Sequence, residues 1–190
     1  MTNIAIFASG SGSNAENIAT YFKDNSECGV KLILSNKIDA FVHERAKKLC
    51  IPSFTFTKAE FDDGVEIVEI LREYEIDFIV LAGFLLKVSK PILDAYPGRI
   101  VNIHPALLPK HGGKGMYGDR VHQAVLDAGE TESGITIHYI NEHYDEGSII
   151  FQASCNVETG DNAETLAARV HELEYLHFPH VIESLLKEHK

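Results

Sequence analysis

Cations are in short supply in this chain. Its 17 Lys and Arg stand against 28 Asp and Glu, a formal net charge of -11, and no basic run stands out. A nucleic-acid groove is a positive stripe along the phosphates, so the balance argues against that partner. Anionic small molecules remain open, because backbone amides can hold a phosphate locally. Cysteine is scarce too. Cys28, Cys50 and Cys155 are scattered, odd in number and without a CxxC pair, which argues against a disulfide framework and a thiolate zinc site and fits a reducing cytoplasm. The ten histidines include no zincin-type HExxH, so they read individually and no metal is expected. No apolar run is long enough to span a bilayer, and Met1-Thr2-Asn3-Ile4 lacks the basic region and apolar core of a secretion signal. Repeats, linkers and low-complexity stretches are missing as well. What is present, 45% hydrophobic and 24% charged residues over 190 positions, suits one domain, residues 1–190, with a sizeable core.

The stretch with most chemistry is Asn102-Ile103-His104-Pro105-Ala106-Leu107-Leu108-Pro109. It continues Arg99-Ile100-Val101, a β-branched run that reads as a buried strand. Residues two apart on a strand share a face, so the Asn102 amide and His104 imidazole come together at its carboxyl end. Pro105 and Pro109 then stop regular structure. In open α/β sheets ligands bind outside the carboxyl ends of strands. An amide beside a titratable imidazole there can bind a developing oxyanion and move a proton; alternatively the two only tie down a turn.

Ile4 to Ala8 reads as a buried central strand. Ser9-Gly10-Ser11-Gly12-Ser13-Asn14 follows, then a helix from about Ala15 to Lys23. Strand, glycine turn and helix together aim amides and a helix N-terminus at an anion. Gly10, Gly12 and Ala15 formally satisfy the dinucleotide pattern, but the second strand, Val30 to Leu34, ends in Ser35-Asn36-Lys37 without the acid that a nicotinamide site wants. A monophosphate is the preferred ligand. Next come a helix from Ala40 to Leu49 capped by Asp39, a strand over Pro52–Phe56, a surface helix over Val65–Arg72, and a strand over Asp77–Ala82. The apolar run Gly83 to Val88 is either core or the wall of a pocket for a flat ring. Ser89 is expected to cap a short helix with Pro91 in its first turn. Lys110 to Gly118, rich in glycine, is either a flap or a flexible loop. A helix over Asp119–Asp127 precedes two antiparallel strands, Gly134–Ile140 and Ser148–Gln152. In the turn between them Asp145 could reach His104 and hold its imidazolium form, or mark the turn only. His138 alone reads as a packed strand residue. The last helix runs from Asn162 to about Lys187, with Pro179 a break or kink; His171 and Glu174 share one of its faces.

Taken together, GSGSN at 10–14, SNK at 35–37, LAGF at 81–84, NIHPALLP at 102–109, GITIHYINEHYDEGSIIFQ at 134–152 and RVHELEYLHFP at 169–179 resemble the phosphoribosylglycinamide formyltransferases across essentially the whole chain. The resemblance implies a three-layer α/β/α fold with a mostly parallel mixed sheet, Rossmann-like in its first half. It implies transfer of a formyl group from 10-formyltetrahydrofolate, as cosubstrate, to the amine of glycinamide ribonucleotide in purine biosynthesis, without a metal. By position it makes Asn102, His104 and Asp145 catalytic. Gly12, Ser13 and Asn14 would hold the substrate phosphate, and His171, Glu172, Leu173 and Glu174 its ribose and glycinamide. Leu85, Leu86, Lys87, Val88 and Asn102, with Asn141, Glu142, His143, Tyr144 and Asp145, would line the folate pocket. Small-molecule partners only, a cytoplasmic location, and a monomer or homodimer are expected. Three positions depart from the family pattern: Gly64 and Leu86 stand where many members have Arg, and His171 replaces a frequent Gln. The Lys110–Gly118 loop is longer than in many members.

Overall fold

The computed structural model describes residues 1–188. Its elements are β1 (Thr2–Phe7), α1 (Ser13–Tyr21), β2 (Cys28–Ser35), α2 (Val42–Lys48), β3 (Ser53–Thr55), α3 (Lys58–Asp63), α4 (Val65–Glu73), β4 (Phe78–Leu81), α5 (Lys90–Ala95), β5 (Ile100–His104), α6 (Asp119–Asp127), β6 (Glu132–Tyr139), β7 (Ile149–Asn156) and α7 (Ala163–Glu188). Seven strands form one sheet in the order β3-β2-β1-β4-β5-β6-β7. Pairing is parallel from β3 through β5, then antiparallel between β5 and β6 and between β6 and β7. The strand order reverses between β1 and β4, which opens a crevice at their carboxyl ends.

Period-two alternation sorts the strands between two apolar layers. Ile4, Ile6, Ile33, Phe78, Val80, Val101, Ile103, Ile135 and Ile137 pack with α1, α2, α6 and α7. Ala5, Phe7, Leu32, Leu34, Ile79, Leu81 and Ile100 pack with α3, α4 and α5. The second layer holds a cluster of Phe7, Phe56, Phe61 and Phe84, with ring centroids 5.0 to 6.1 Å apart. Because Val101 and Ile103 face the first layer, Asn102 and His104 face the second side of the sheet. Their register partners on β6 are His138 and Thr136.

Several boundaries differ from those expected. The helix expected from Ala40 begins at Val42 with Phe41 at its N-cap, and Asp39 is not the cap. Helix α3 was not anticipated, although its capping box is written in the sequence: Thr57 accepts from the Glu60 amide, and Glu60 reaches back to the Thr57 amide. Gly64, at φ +75°, then ends α3 and starts α4. Ser89 sits at the N-cap of α5 without a side-chain cap bond. Helix α7 continues through Pro179 rather than breaking. A proline cannot donate to the carbonyl four residues back, and here the Asn17 amide of α1 donates to that Tyr175 carbonyl at 2.9 Å.

Candidate active site

The glycine turn is fixed from two sides. Gly12 takes φ +71° at the N-cap of α1, and a Cβ there would lie 2.3 Å from Val42 Cγ2. Both facts require glycine. From α2, the Val42 amide donates to the Gly10 carbonyl at 3.2 Å and Arg45 Nε to the Ser11 carbonyl at 2.8 Å, while Arg45 also pairs with Glu16. Buried Ser9 joins three loops: its hydroxyl donates to Asn36 Oδ1 at 2.6 Å and accepts from the Leu85 amide at 3.1 Å, and its own amide donates to the Gly83 carbonyl. The SNK and LAGF stretches therefore brace the turn that leads into α1.

At the far side of this turn, Asn14 Nδ2 donates to Glu174 Oε2 at 2.7 Å, and His171 Nδ1 lies 2.8 Å from the same oxygen. The hydrogen bond to Glu174 pushes the His171 imidazole above its ordinary value, against some burial. Asn14 Oδ1 is buried and has no hydrogen-bond partner among the described residues. Glu172 is exposed and Leu173 packs against the core. A helical face repeats every three to four residues, so Ala167, His171 and Glu174 line the cleft while Glu172 and Leu173 turn away.

Asn102, His104 and Asp145 come together as expected, and a fourth residue joins them. Asp145 Oδ2 is 3.6 Å from His104 Nδ1, and its Oδ1 is 3.6 Å from Nε2 of His138. His138, fully buried, sends Nδ1 to the Tyr139 carbonyl at 2.9 Å and Nε2 to Asn102 Nδ2 at 3.2 Å. A carbonyl only accepts, so Nδ1 carries the proton and Nε2 accepts from Asn102. His138 thus fixes the Asn102 amide and leaves its second N–H and its carbonyl oxygen for the cleft. Alternation alone marked His138 as an inward strand residue; its pairing opposite Asn102 across β5 and β6 was the signal that could have marked it as functional.

The protonation state of His104 departs from expectation. Burial pushes its imidazole below the ordinary histidine value, and Asp145 only partly offsets that. At neutral pH the ring is therefore neutral, not the imidazolium expected from Asp145. Its Nε2 lies 2.8 Å from the His111 carbonyl, which accepts the Nε2 proton and leaves the lone pair on Nδ1, facing Asp145. Burial raises the Asp145 carboxyl, but hydrogen bonding, including the Gly113 amide donating to Oδ2 at 2.9 Å, outweighs it, so it stays below the ordinary carboxylate range. Beneath the site, Thr136 holds the proline-bounded segment. Its hydroxyl donates to the Ala106 carbonyl and accepts from the Leu108 amide, and Gln152 bridges Thr136 and the Leu108 carbonyl.

The cleft measures about 450 Å³ and runs from the glycine turn past His171, Glu174 and His104 to Asp145, with Gly113–Gly118 on its wall. Leu85 lines this cleft. Leu86, Lys87 and Val88 line a smaller recess of about 60 Å³ with Asn141, His143 and Tyr144, while Glu142 is exposed outside it. Phe84, Asn102, Tyr144 and Asp145 border both spaces. His122 on α6, unremarked in the sequence, is buried in the cleft wall; its Nδ1 has no hydrogen-bond partner among the described residues. Burial and then the nearby His171 hold it below the ordinary histidine value. Gly64 is pressed onto the N-terminus of α5, where a Cβ would lie 2.6 Å from Ser89 Oγ and 3.2 Å from Pro91 Cβ. With positive φ as well, this position does not accommodate a large side chain such as Arg. Among the described residues no cluster of three or more His, Cys, Asp or Glu is placed to hold a metal, and no helix is long and apolar enough to cross a membrane.

Residues 2–182 match the family model described as formyl transferase. The chain is 44% identical to the chloroplastic phosphoribosylglycinamide formyltransferase of Arabidopsis thaliana over 97% of its own length, and spans 65% of that relative. It is 42% identical to the phosphoribosylglycinamide formyltransferase of Bacillus subtilis (strain 168), covering 98% of this chain and 95% of the relative. The crystal structure of phosphoribosylglycinamide formyltransferase from Bacillus halodurans superposes with a TM-score of 0.90 at 37% identity, over 100% of this chain and 97% of the other. A fold and a sequence that agree at this level place the chain in the phosphoribosylglycinamide formyltransferase family.

Proposed function

We propose that residues 1–190 act as a single formyltransferase unit that moves the formyl group of 10-formyltetrahydrofolate to the amine of glycinamide ribonucleotide. One observation carries the reading. Asn102 and Asp145 stand where a phosphate-compatible cleft meets a smaller recess, and the His104 imidazole lines the same cleft 3.6 Å from the carboxylate. A reaction between two small molecules needs such a meeting point. The amides from Gly12 to Asn14, at the positive end of α1, suit a phosphate. Glu174 and His171 suit sugar hydroxyls and the amide end. The recess by Leu86, Lys87, Val88 and Asn141 suits the folate ring lying across the junction, with Leu85, His143 and Tyr144 at its rim.

The amine attacks the formyl carbon, a C–N bond forms, and the carbonyl π electrons move onto oxygen. The free N–H of Asn102 donates to that oxygen. The amine proton passes to Nδ1 of His104, whose cationic form Asp145 then stabilises at 3.6 Å. Collapse of the oxyanion breaks the bond to the folate nitrogen, which takes that proton from His104 as it leaves, so the imidazole ends neutral again. A single chain supplies every group, so a monomer suffices and a homodimer is compatible. Turnover with formyl folate and glycinamide ribonucleotide, followed by folate absorbance and by mass spectrometry of the ribonucleotide, tests the reading. Formylated ribonucleotide is expected. Release of formate with water as the acceptor, and no formylated product, would contradict it.

A further inference from the structure

We infer that Glu130 and His111 are positioning residues for His104, acting through the peptide carbonyl of His111 to select the ring tautomer. The inference rests on the formyl-transfer reading of the site. His104 sends Nε2 to the His111 carbonyl at 2.8 Å, so this carbonyl decides which ring nitrogen keeps a lone pair. His111 holds its carbonyl there from a left-handed backbone, φ +54°, a conformation uncommon for a residue with a Cβ. Something outside the backbone must keep it. The Glu130 carboxylate does so: Oε1 lies 3.2 Å from His111 Nε2, and Oε2 lies 2.9 Å from Lys110 Nζ. Glu130 follows the Gly129 turn after α6, so its own place is set by the packed helix. Two residues beyond His111, the Gly113 amide donates to Asp145 Oδ2 at 2.9 Å. One short segment thus offers a carbonyl to His104 and an amide to Asp145.

Without the Glu130 anchor, the His111 carbonyl is free to swing away. His104 can then move its proton to Nδ1, where it finds Asp145 Oδ2 as acceptor. In that tautomer the lone pair sits on Nε2, turned from the attacking amine, and the base is lost without any change in the substrate contacts.

The test uses the full chain labelled with ¹⁵N at histidine, the His104 ring being assigned by its loss in His104→Gln. The wild-type ring is expected to carry its proton on Nε2, and Glu130→Ala to show the Nδ1-protonated form. Turnover by Glu130→Ala is expected to fall about ten- to a hundredfold in kcat, with both KM values within about twofold, because misalignment rather than binding is the defect. Glu130→Gln, which keeps a partner for the His111 ring, is expected to restore most of the rate. Lys110→Met, which leaves that partner in place, is expected to match wild type. If Glu130→Ala fails to fold, His111→Asn replaces it, since asparagine tolerates the left-handed backbone but cannot span to Glu130. An Nδ1-protonated ring in the wild type, or unchanged ring nitrogens and kcat in both variants, overturns the inference. If wild type forms no formylated product, the reaction reading fails, while the ring spectrum still decides the positioning role.

Discussion

Asn102 and His104 stand two residues apart on β5 yet are held by different partners, and their losses differ accordingly. Asn102 offers a hydrogen bond that matters most as charge develops, so Asn102→Ala is expected to lower kcat by about a hundred- to thousandfold. Single-turnover rates at saturating substrate measure this. His104→Ala removes the base, and glycinamide ribonucleotide binding by calorimetry is expected to persist. His104 and Asp145 both titrate lower in the folded chain than free. For His104, the unfolded chain takes up its proton first as pH drops below about 6.5, so stability through this residue falls with acid. Asp145 acts in the same direction: its contribution is present above the ordinary carboxylate value and is lost as pH falls through the lower folded one. Because Asp145 raises His104, Asp145→Asn is expected to move the His104 titration further down, as followed by NMR. An upward move would mean that the carboxylate is not what faces the ring. Asn-x-His at a strand end suggests its chemistry in the residue types, whereas Asp145 in an Asp-x-Gly turn reads as a turn signal and is given a catalytic role only through the family resemblance. The neutral state of His104 was not legible, because it depends on burial by residues remote in sequence.

At the scale of elements, strands were the most readable, since alternation and β-branched runs report which layer each side chain faces. Helix boundaries were less so. Asp39 offered a cap that the chain does not use, and the Thr57–Glu60 box announced a helix, α3, that hydrophobic periodicity did not show. The continuity of α7 through Pro179 depends on α1, a neighbour 158 residues away in sequence. Asn17→Ala should cost about 0.5–1.5 kcal/mol in urea unfolding, and the cost should shrink in a Pro179→Ala background, where residue 179 regains an N–H for Tyr175. Equal costs in both backgrounds would detach Asn17 from the proline. Gly12→Ala is expected to cost about 1–3 kcal/mol and to weaken substrate binding, because the positive φ and the contact with Val42 both oppose a methyl group. A variant with wild-type stability and KM would show that the turn is not fixed by α2.

For the whole molecule, the sheet order turns scattered motifs into one cleft: the glycine turn follows β1, the recess wall follows β4, and Asn102 and His104 end β5. Chain topology puts these carboxyl ends side by side, and no local pattern states that order. The net charge of -11 also acts at this scale. On the proposed reading it repels a phosphorylated substrate that the loop amides would attract, so screening by salt is expected to leave kcat/KM for glycinamide ribonucleotide level or raised. A steep fall with salt would point to a basic steering patch instead. The most direct test of the account pairs turnover with binding in His104→Ala. Formyl transfer lost while both substrates bind as in wild type is the expected result. Formyl transfer retained at the wild-type rate would show that the reaction does not pass through this imidazole.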